Sequence, residues 1–189
     1  GDLAKCEAKF QEKLAKLDVK AAKARVDCRY RDYGDSTVTD FDTGLQWEKK
    51  DGGGGLADLA NPHDVDNTYT WTTVFFGTTP NGTAFTHFLP KLHGASNDGV
   101  TLTGCFAGHC DWRLPTIVEL QTILLAPDPC ATIPCIDLVF GPTVADFYLS
   151  ATSDTPPSGA WYVNFNGGVV GFGGFEATSF YVRAVRAGL

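Results

Sequence analysis

The spacing of apolar side chains along this chain shifts from a helical period to a strand period, and back again. In residues 2–28, Leu3, Cys6, Phe10, Leu14 and Leu17 recur at steps of three and four with lysines between them, which predicts a helix. A straight helix would hold Cys6 and Cys28 about 33 Å apart, whereas a disulfide needs Cα atoms within about 7 Å. The preferred reading is a helix that folds back near Asp18 into a hairpin stapled by these two cysteines. The alternatives are pairing elsewhere or a bridge between chains. Beyond residue 30 the period shortens. Thr37 to Thr39 and Leu45 to Trp47 predict two strands, joined by a turn over 40–44 in which Asp42 and Gly44 are turn formers.

Helical spacing returns in the stretch that organises the rest, CFAGHCDWRLPTIVELQTILLAP over 105–127. Residues Asp111 to Leu114 read as a short buried approach. Thr116 stands three residues before Glu119, a capping-box pattern that satisfies the free amides of a helix start. Ile117, Leu120, Ile123 and Leu124 then give one apolar face, and Ala126-Pro127 closes the helix. A second helix is expected over 81–92, with Phe85, Phe88 and Leu89 inward, and Tyr69 to Thr72 reads as a short extended piece. Toward the end, strands are expected over 147–152 and 160–165, with a turn at Asn166-Gly167-Gly168 and a return from Val169. Phe180 to Arg186 predicts a closing strand. Between these last two lies 171–179, GFGGFEATS, which has no strict period and reads as an exposed irregular loop. Phe172 and Phe175 exposed there would point to a bound ligand; the bland alternative tucks both under the loop.

Composition narrows the class. With 189 residues, 43% hydrophobic and 12% aromatic, the chain can build one sizeable core plus an appendage. No apolar run approaches membrane-spanning length. There is no methionine and no leader-like stretch, so a processed or trimmed product is expected. The net charge of −7 disfavours nucleic acid. Residues 1–31 hold nine of the fifteen Lys and Arg against five acids, which leaves about −11 on the remainder. A basic arm could therefore dock on an acidic body, its own or a neighbour's.

Candidate chemistry is sparse. Besides Cys6 and Cys28, the close pairs Cys105/Cys110 and Cys130/Cys135 suggest disulfides and an oxidising compartment. Zinc is the rival, but the spacings and the single nearby His109 make a poor finger. Asn61, Asp64, Asp66 and Asn67 gather oxygen ligands that would suit calcium, yet they lack the EF-hand glycine and glutamate, and a solvated loop is preferred. His87 and His93 read as surface or packing residues. The run Gly52–Gly55 lacks a phosphate-binding lysine and is read as a loop. Asp111, Arg113 and Glu119 are read as caps and ion pairs rather than a catalytic set. No Ser-His-Asp or paired-carboxylate constellation emerges, and no enzyme is expected.

Five pieces together carry a family resemblance: STVTDFDTGLQWEK (36–49), DWRLPTIVELQTIL (111–124), FYLSATS (147–153), AWYVNFNGG (160–168) and YVRAVR (181–186). In this order they resemble the Lcl C-terminal domain family, named after a bacterial collagen-like adhesin. The usual form of the fourth strand is closer to YWSST; here Leu149 and Ala151 replace the Trp and the second Ser, which bears on that strand's packing. The resemblance implies an α+β, C-type lectin-like fold over 30–189, with small twisted antiparallel sheets, two flanking helices and long irregular loops. The helical segment 1–29 would precede it as a separate unit. It also implies a secreted or surface-displayed bacterial binding domain. Collagen-like members bind sulfated polysaccharides, and some relatives are variable proteins of diversity-generating retroelements, whose rewritten segment corresponds here to 166–180. The related formylglycine-generating fold needs a reactive cysteine pair, whereas every cysteine here has a structural partner to hand.

Several features temper the resemblance. The acidic body suits a polyanion poorly, and Arg113, Arg183 and Arg186 are expected in internal ion pairs. The Glu-Pro-Asn signature of calcium-bridged sugar binding is absent. The expected function is an extracellular, adhesin-like recognition module for a surface protein or polysaccharide, with no obligate cofactor. Its contact residues are expected to be Asn164, Asn166, Val170, Phe172, Phe175, Glu176, Thr178, Ser179 and Phe180. The alternative is a structural subunit of a surface fibre or oligomer, self-assembled through the N-terminal helical segment.

Overall fold

A computed structural model describes residues 11, 12, 16, 29–53, 55–74, 79–96, 103–125, 130–153, 159–173 and 178–188. Gln11, Glu12 and Lys16 are helical, and Lys16 bonds Glu12 one turn away. The rest of the expected N-terminal hairpin, including Cys6 and Cys28, lies outside the described residues.

The architecture is α+β, with two small antiparallel sheets and few helices. β1 (Tyr30–Asp32), β2 (Thr37–Asp40), β3 (Leu45–Glu48) and β7 (Val185–Ala187) form one sheet in the order β1-β2-β3-β7. β4 (Phe147–Ser153), β5 (Ala160–Asn164) and β6 (Val169–Gly173) form the other. The β2–β3 hairpin is where it was expected. Gly44 takes a φ of 71° and donates its amide to Asp40 O at 2.8 Å, while the Asp40 carboxylate accepts from Asp42 N at 3.0 Å. The register sets Val38 opposite Trp47 and Trp47 opposite Val185, so one face of this sheet buries all three.

Among the described residues, short helices pack beside the sheets. A π-helical turn, Ala84–Phe88, runs into α1 (Leu89–Leu92) and buries Phe88 and Leu92. α2 (Ile117–Thr122) starts as its capping box predicts: Thr116 Oγ1 accepts from Glu119 N at 3.2 Å, and Glu119 Oε2 accepts from Thr116 N at 2.8 Å. It ends at Thr122, earlier than the expected Ala126-Pro127. The chain leaves the helix because Leu124 pairs with Ile136 and Leu125 N donates to Cys135 O, tying this exit to the loop closed by the Cys130–Cys135 disulfide. Cys105 and Cys110 form the second disulfide. Each of these four sulfurs is bonded to the cysteine it was expected to pair with.

Two apolar cores result. Val38, Trp47, Leu120, Ile123, Phe140, Tyr148, Val163 and Val185 form one; Tyr69, Trp71, Phe88, Trp112, Leu114, Leu149 and Val182 are in the other. Strand alternation explains the division. Tyr148 and Val163 leave the second sheet on one face, Leu149 on the other, so the sheet separates the cores. Leu149, where the family form has Trp, is fully packed in the second core.

The expected closing strand, Phe180 to Arg186, needs correction. Phe180 bridges Tyr69, Tyr181 bridges Tyr148, and only Val185–Ala187 is a strand. The segment changes partners as it passes from one sheet to the other, and residues 182–185 are buried in succession rather than in alternation. The expected loop 171–179 also begins later, because β6 runs on to Gly173.

Candidate functional site

The second sheet has one surface that neither core covers completely. Tyr162 on β5 pairs with Leu149 on one side and Gly171 on the other, while Phe147 pairs with Asn164. Phe147, Leu149, Tyr162, Asn164 and Gly171 therefore share a face. Leu149 is sealed under the second core, but Phe147 and Tyr162 are only half-buried. They are diagonal cross-strand neighbours whose rings meet edge to face at 4.9 Å. Phe180 closes the corner, its ring 5.9 Å from that of Phe147. Backbone bonds fix this position: Phe180 N donates to Tyr69 O at 2.9 Å, and Tyr181 N donates to Phe147 O at 3.1 Å.

These three rings and Thr178 line an open slot of about 220 Å³ whose wall is almost wholly carbon. Gly171 is part of its construction. A Cβ there would lie 2.7 Å from the Tyr162 hydroxyl, so the absence of a side chain lets the tyrosine lie across β6. Thr178 is exposed at the rim.

The structure divides the expected contact residues between two faces. Asn164 and Phe180 lie on the slot side, and Thr178 lines the slot. Val170 pairs with Val163 on the opposite face and packs against the first core. Phe172 pairs with Trp161 on that same face; it is 55% exposed, with its ring 5.1 Å from the indole. Phe172 is thus neither in a loop nor tucked under one. Asn166 is in the β5–β6 turn, its amide held by Asn164 Oδ1 at 2.8 Å, and Ser179 is exposed. Phe175 and Glu176 lie outside the described residues. Phe147 and Tyr162 were missed. Alternation could have found Tyr162, because a face that presents Asn164 also presents the residue two before it.

The charged residues considered for chemistry are engaged internally. Arg113 grips Glu119 with two bonds of 2.8 and 2.6 Å, and this contact with the Thr116 cap holds the Glu119 carboxyl down at about 2. Arg186 pairs with Asp111 at 2.8 Å. Arg183 departs from the expected ion pair: it is fully buried and donates to the carbonyls of Glu48 and Phe140 at 2.7 and 2.9 Å and to Thr143 Oγ1 at 2.9 Å. Asn61, Asp64, Asp66 and Asn67 bond the backbone of their own loop and of Gly55. Among the described residues, no group of three or more His, Cys, Asp or Glu is arranged to hold a metal ion. His93 Nε2 is 2.7 Å from Trp112 O, a packing role as expected.

The model of the Lcl C-terminal domain family matches residues 36–186. Comparison with curated proteins and with solved structures gave no match.

Proposed function

The chain belongs to the Lcl C-terminal domain family, and from that premise we propose that it is an adhesin-like recognition module exposed outside the cell. Its fold is read as C-type lectin-like, in keeping with two small antiparallel sheets and few, short helices among the described residues. It works by binding, with no reaction catalysed and no calcium required. The two disulfides fit an oxidising, extracellular setting. Among the described residues no helix is long and apolar enough to cross a membrane.

The observation that carries this reading is the slot formed by Phe147, Tyr162, Thr178 and Phe180. Half-buried aromatic rings converging on an open concavity are costly to leave in water and are suited to a partner's surface. They sit on paired strands, so little ordering is required when a ligand arrives.

The test is a plug. Thr178 is exposed at the rim, so Thr178→Trp fills the slot without disturbing a core. The full chain and this variant are applied to arrays of surface proteins and of polysaccharides. Partners captured by the wild type are expected to bind the variant about tenfold more weakly or less, with unchanged circular dichroism and melting temperature. Phe172→Ser, on the opposite face of the sheet, should leave capture unchanged. Full capture by the plugged variant, or loss in Phe172→Ser alone, would move the site away from this face.

A further inference from the structure

The fold holds its two disulfides differently. Cys135 has no exposed surface; its amide donates to Phe165 O at 2.7 Å and its carbonyl accepts from Leu125 N at 3.0 Å, within the first core. Cys110 is exposed, in the loop between α1 and α2. A thiolate must reach a disulfide sulfur to break the bond, so Cys105–Cys110 is the more accessible target.

The loop that this bond closes carries Phe106. Its ring lies between two others, 4.7 Å from the Trp112 indole and 4.3 Å from the His63 imidazole. Trp112 Nε1 donates to Phe106 O at 3.0 Å. On the other side, His63 Nδ1 lies 2.8 Å from Glu48 Oε1, which also accepts from Lys50 Nζ. Glu48 and Lys50 are buried, whereas the His63 side chain is 18% exposed and brings the cluster to the surface. Phe106 covers one side of that imidazole. It therefore shields from water a charge pair whose attraction depends on a low local dielectric.

The loop backbone favours release. Ala107 is held at a φ of 50°, a left-handed conformation that disfavours a residue with a Cβ. Closure of residues 105–110 by the disulfide holds it there, and cleavage frees Ala107 and Phe106 together. The base of the loop has a separate tie, because Thr103 N donates to Gly94 O at 2.7 Å. Opening is then local, and the two cysteines stay near enough to close again.

We propose that the Cys105–Cys110 disulfide is a redox latch: a dithiol reductant opens it and releases Phe106 from His63, so that the Glu48–Lys50 pair is sealed only in the oxidised state. One thiolate of the dithiol attacks Cys110 Sγ, the S–S bond breaks, and Cys105 leaves as a thiolate that takes a proton. The second thiol of the reductant, on losing its proton, attacks the reductant's sulfur in the mixed disulfide and expels the Cys110 thiolate, which is protonated. The two cysteines gain two electrons and two protons, and the dithiol becomes a disulfide.

The test treats the full chain with dithiothreitol, traps free thiols with N-ethylmaleimide and locates them by peptide mass spectrometry. Cys105 and Cys110 are expected to be labelled at least about tenfold faster than Cys130 and Cys135. Hydrogen exchange of the protein reduced at Cys105 and Cys110 then reads the seal. The amides of Asp51 and Val65, which bond His63 O and Asp51 O, should exchange at least about tenfold faster, while those of Leu125 and Cys135 keep their rates. Oxidised glutathione should restore slow exchange. Phe106→Ala, with its disulfide intact, should show the same fast exchange, and reduction should then add less than about twofold. Labelling of Cys130 and Cys135 at the same rate, unchanged exchange at Asp51 and Val65 on reduction, a rise spread over the whole chain, no recovery on reoxidation, or slow exchange in Phe106→Ala would each overturn the inference. Should Phe106→Ala fail to fold, reduction of the wild type still decides.

Discussion

The fold contains a buried charge cluster whose removal has a calculable consequence. Glu48, at the end of β3, has no exposed surface. Its Oε1 accepts from Lys50 Nζ at 2.9 Å and lies 2.8 Å from His63 Nδ1, and its Oε2 accepts from Ala184 N at 2.9 Å. Lys50 is itself buried, donates to Pro62 O at 2.9 Å and lies over the Phe88 ring. Glu48→Gln keeps the shape but puts an amide NH₂ where donors already converge, and it leaves Lys50 and Arg183 buried without their counter-charge. Burial alone would raise the Glu48 carboxyl. The charge of Lys50 and the bonds from His63 and Ala184 outweigh it and hold the group at about 2 instead of the usual 4.5. At about 1.36 kcal/mol per unit, that is worth about 3 kcal/mol. Part of this is offset on the other partner, since burial, and then the nearby Arg183, pull the Lys50 ammonium down. Breaking one side of a buried pair costs about 3–5 kcal/mol in other proteins. We expect Glu48→Gln to lose about 3 kcal/mol at pH 7, or about 6–12 °C in melting temperature for a domain of this size.

The pH dependence gives the sharper check. A carboxyl whose folded pKa is depressed stabilises fully above its unfolded value, and that stability is lost as pH falls toward the folded one. For Glu48 the window runs from 4.5 down to about 2. Glu119 contributes in the same window in both proteins, so the difference between the two stability curves isolates Glu48. Urea unfolding followed by tryptophan fluorescence at pH 7, 5, 4 and 3 measures it. The gap between wild type and variant should narrow as pH drops. Adding Lys50→Met to Glu48→Gln should recover part of the loss, because the stranded charge is gone. A variant within about 0.5 kcal/mol of wild type at pH 7, or a gap that stays constant to pH 3, would refute this account.

Two further perturbations test the scaffold. Thr116→Ala removes the hydroxyl that caps α2 and should cost about 1 kcal/mol in urea unfolding, whereas Thr116→Ser should be close to neutral. Gly82→Ala would place a Cβ 2.3 Å from Thr70 O and 2.6 Å from the carbonyl carbon of Trp71, both backbone atoms with little room to yield. It should cost about 2 kcal/mol or more by thermal unfolding, and an unchanged melting temperature would show that this entry to the π-helical turn relaxes freely.

Much of the scaffold was legible because its signals are local. The turn at Gly44, the capping box at Thr116 and the close cysteine pairs each act within a few residues, and each is where it was expected. What could not be read depends on partners far along the chain. The helix stops at Thr122 because residues 135 and 136 draw Leu124 and Leu125 away. The segment 180–186 looks like one strand by composition but spans two sheets, a tertiary override of strand propensity. The slot was half legible for the same reason. Thr178 and Phe180 stood out beside an aperiodic stretch, while Phe147 and Tyr162 looked like ordinary strand residues until register placed them on the same face.

The motifs that mark the family are spent on the scaffold, and this bears on where specificity resides. Trp47, Trp112 and Leu114 fill the cores; Arg113, Thr116 and Glu119 hold the start of α2; Arg183 and Arg186 fasten the last segment to Glu48, Phe140, Asp111 and Gln46. None of these side chains lines the slot. Family membership therefore constrains the frame much more tightly than the ligand. Phe147 and Tyr162 fall within matched strands but point away from the first core, and Thr178 and Phe180 lie just ahead of the YVRAVR strand motif. Substitution at these positions alters the slot without touching the buried network around Glu48 and Arg183. Phe172 and Trp161, on the opposite face of the same sheet, are close enough in sequence to be mistaken for part of that surface. Only a binding assay that separates Thr178→Trp from Phe172→Ser distinguishes the two faces.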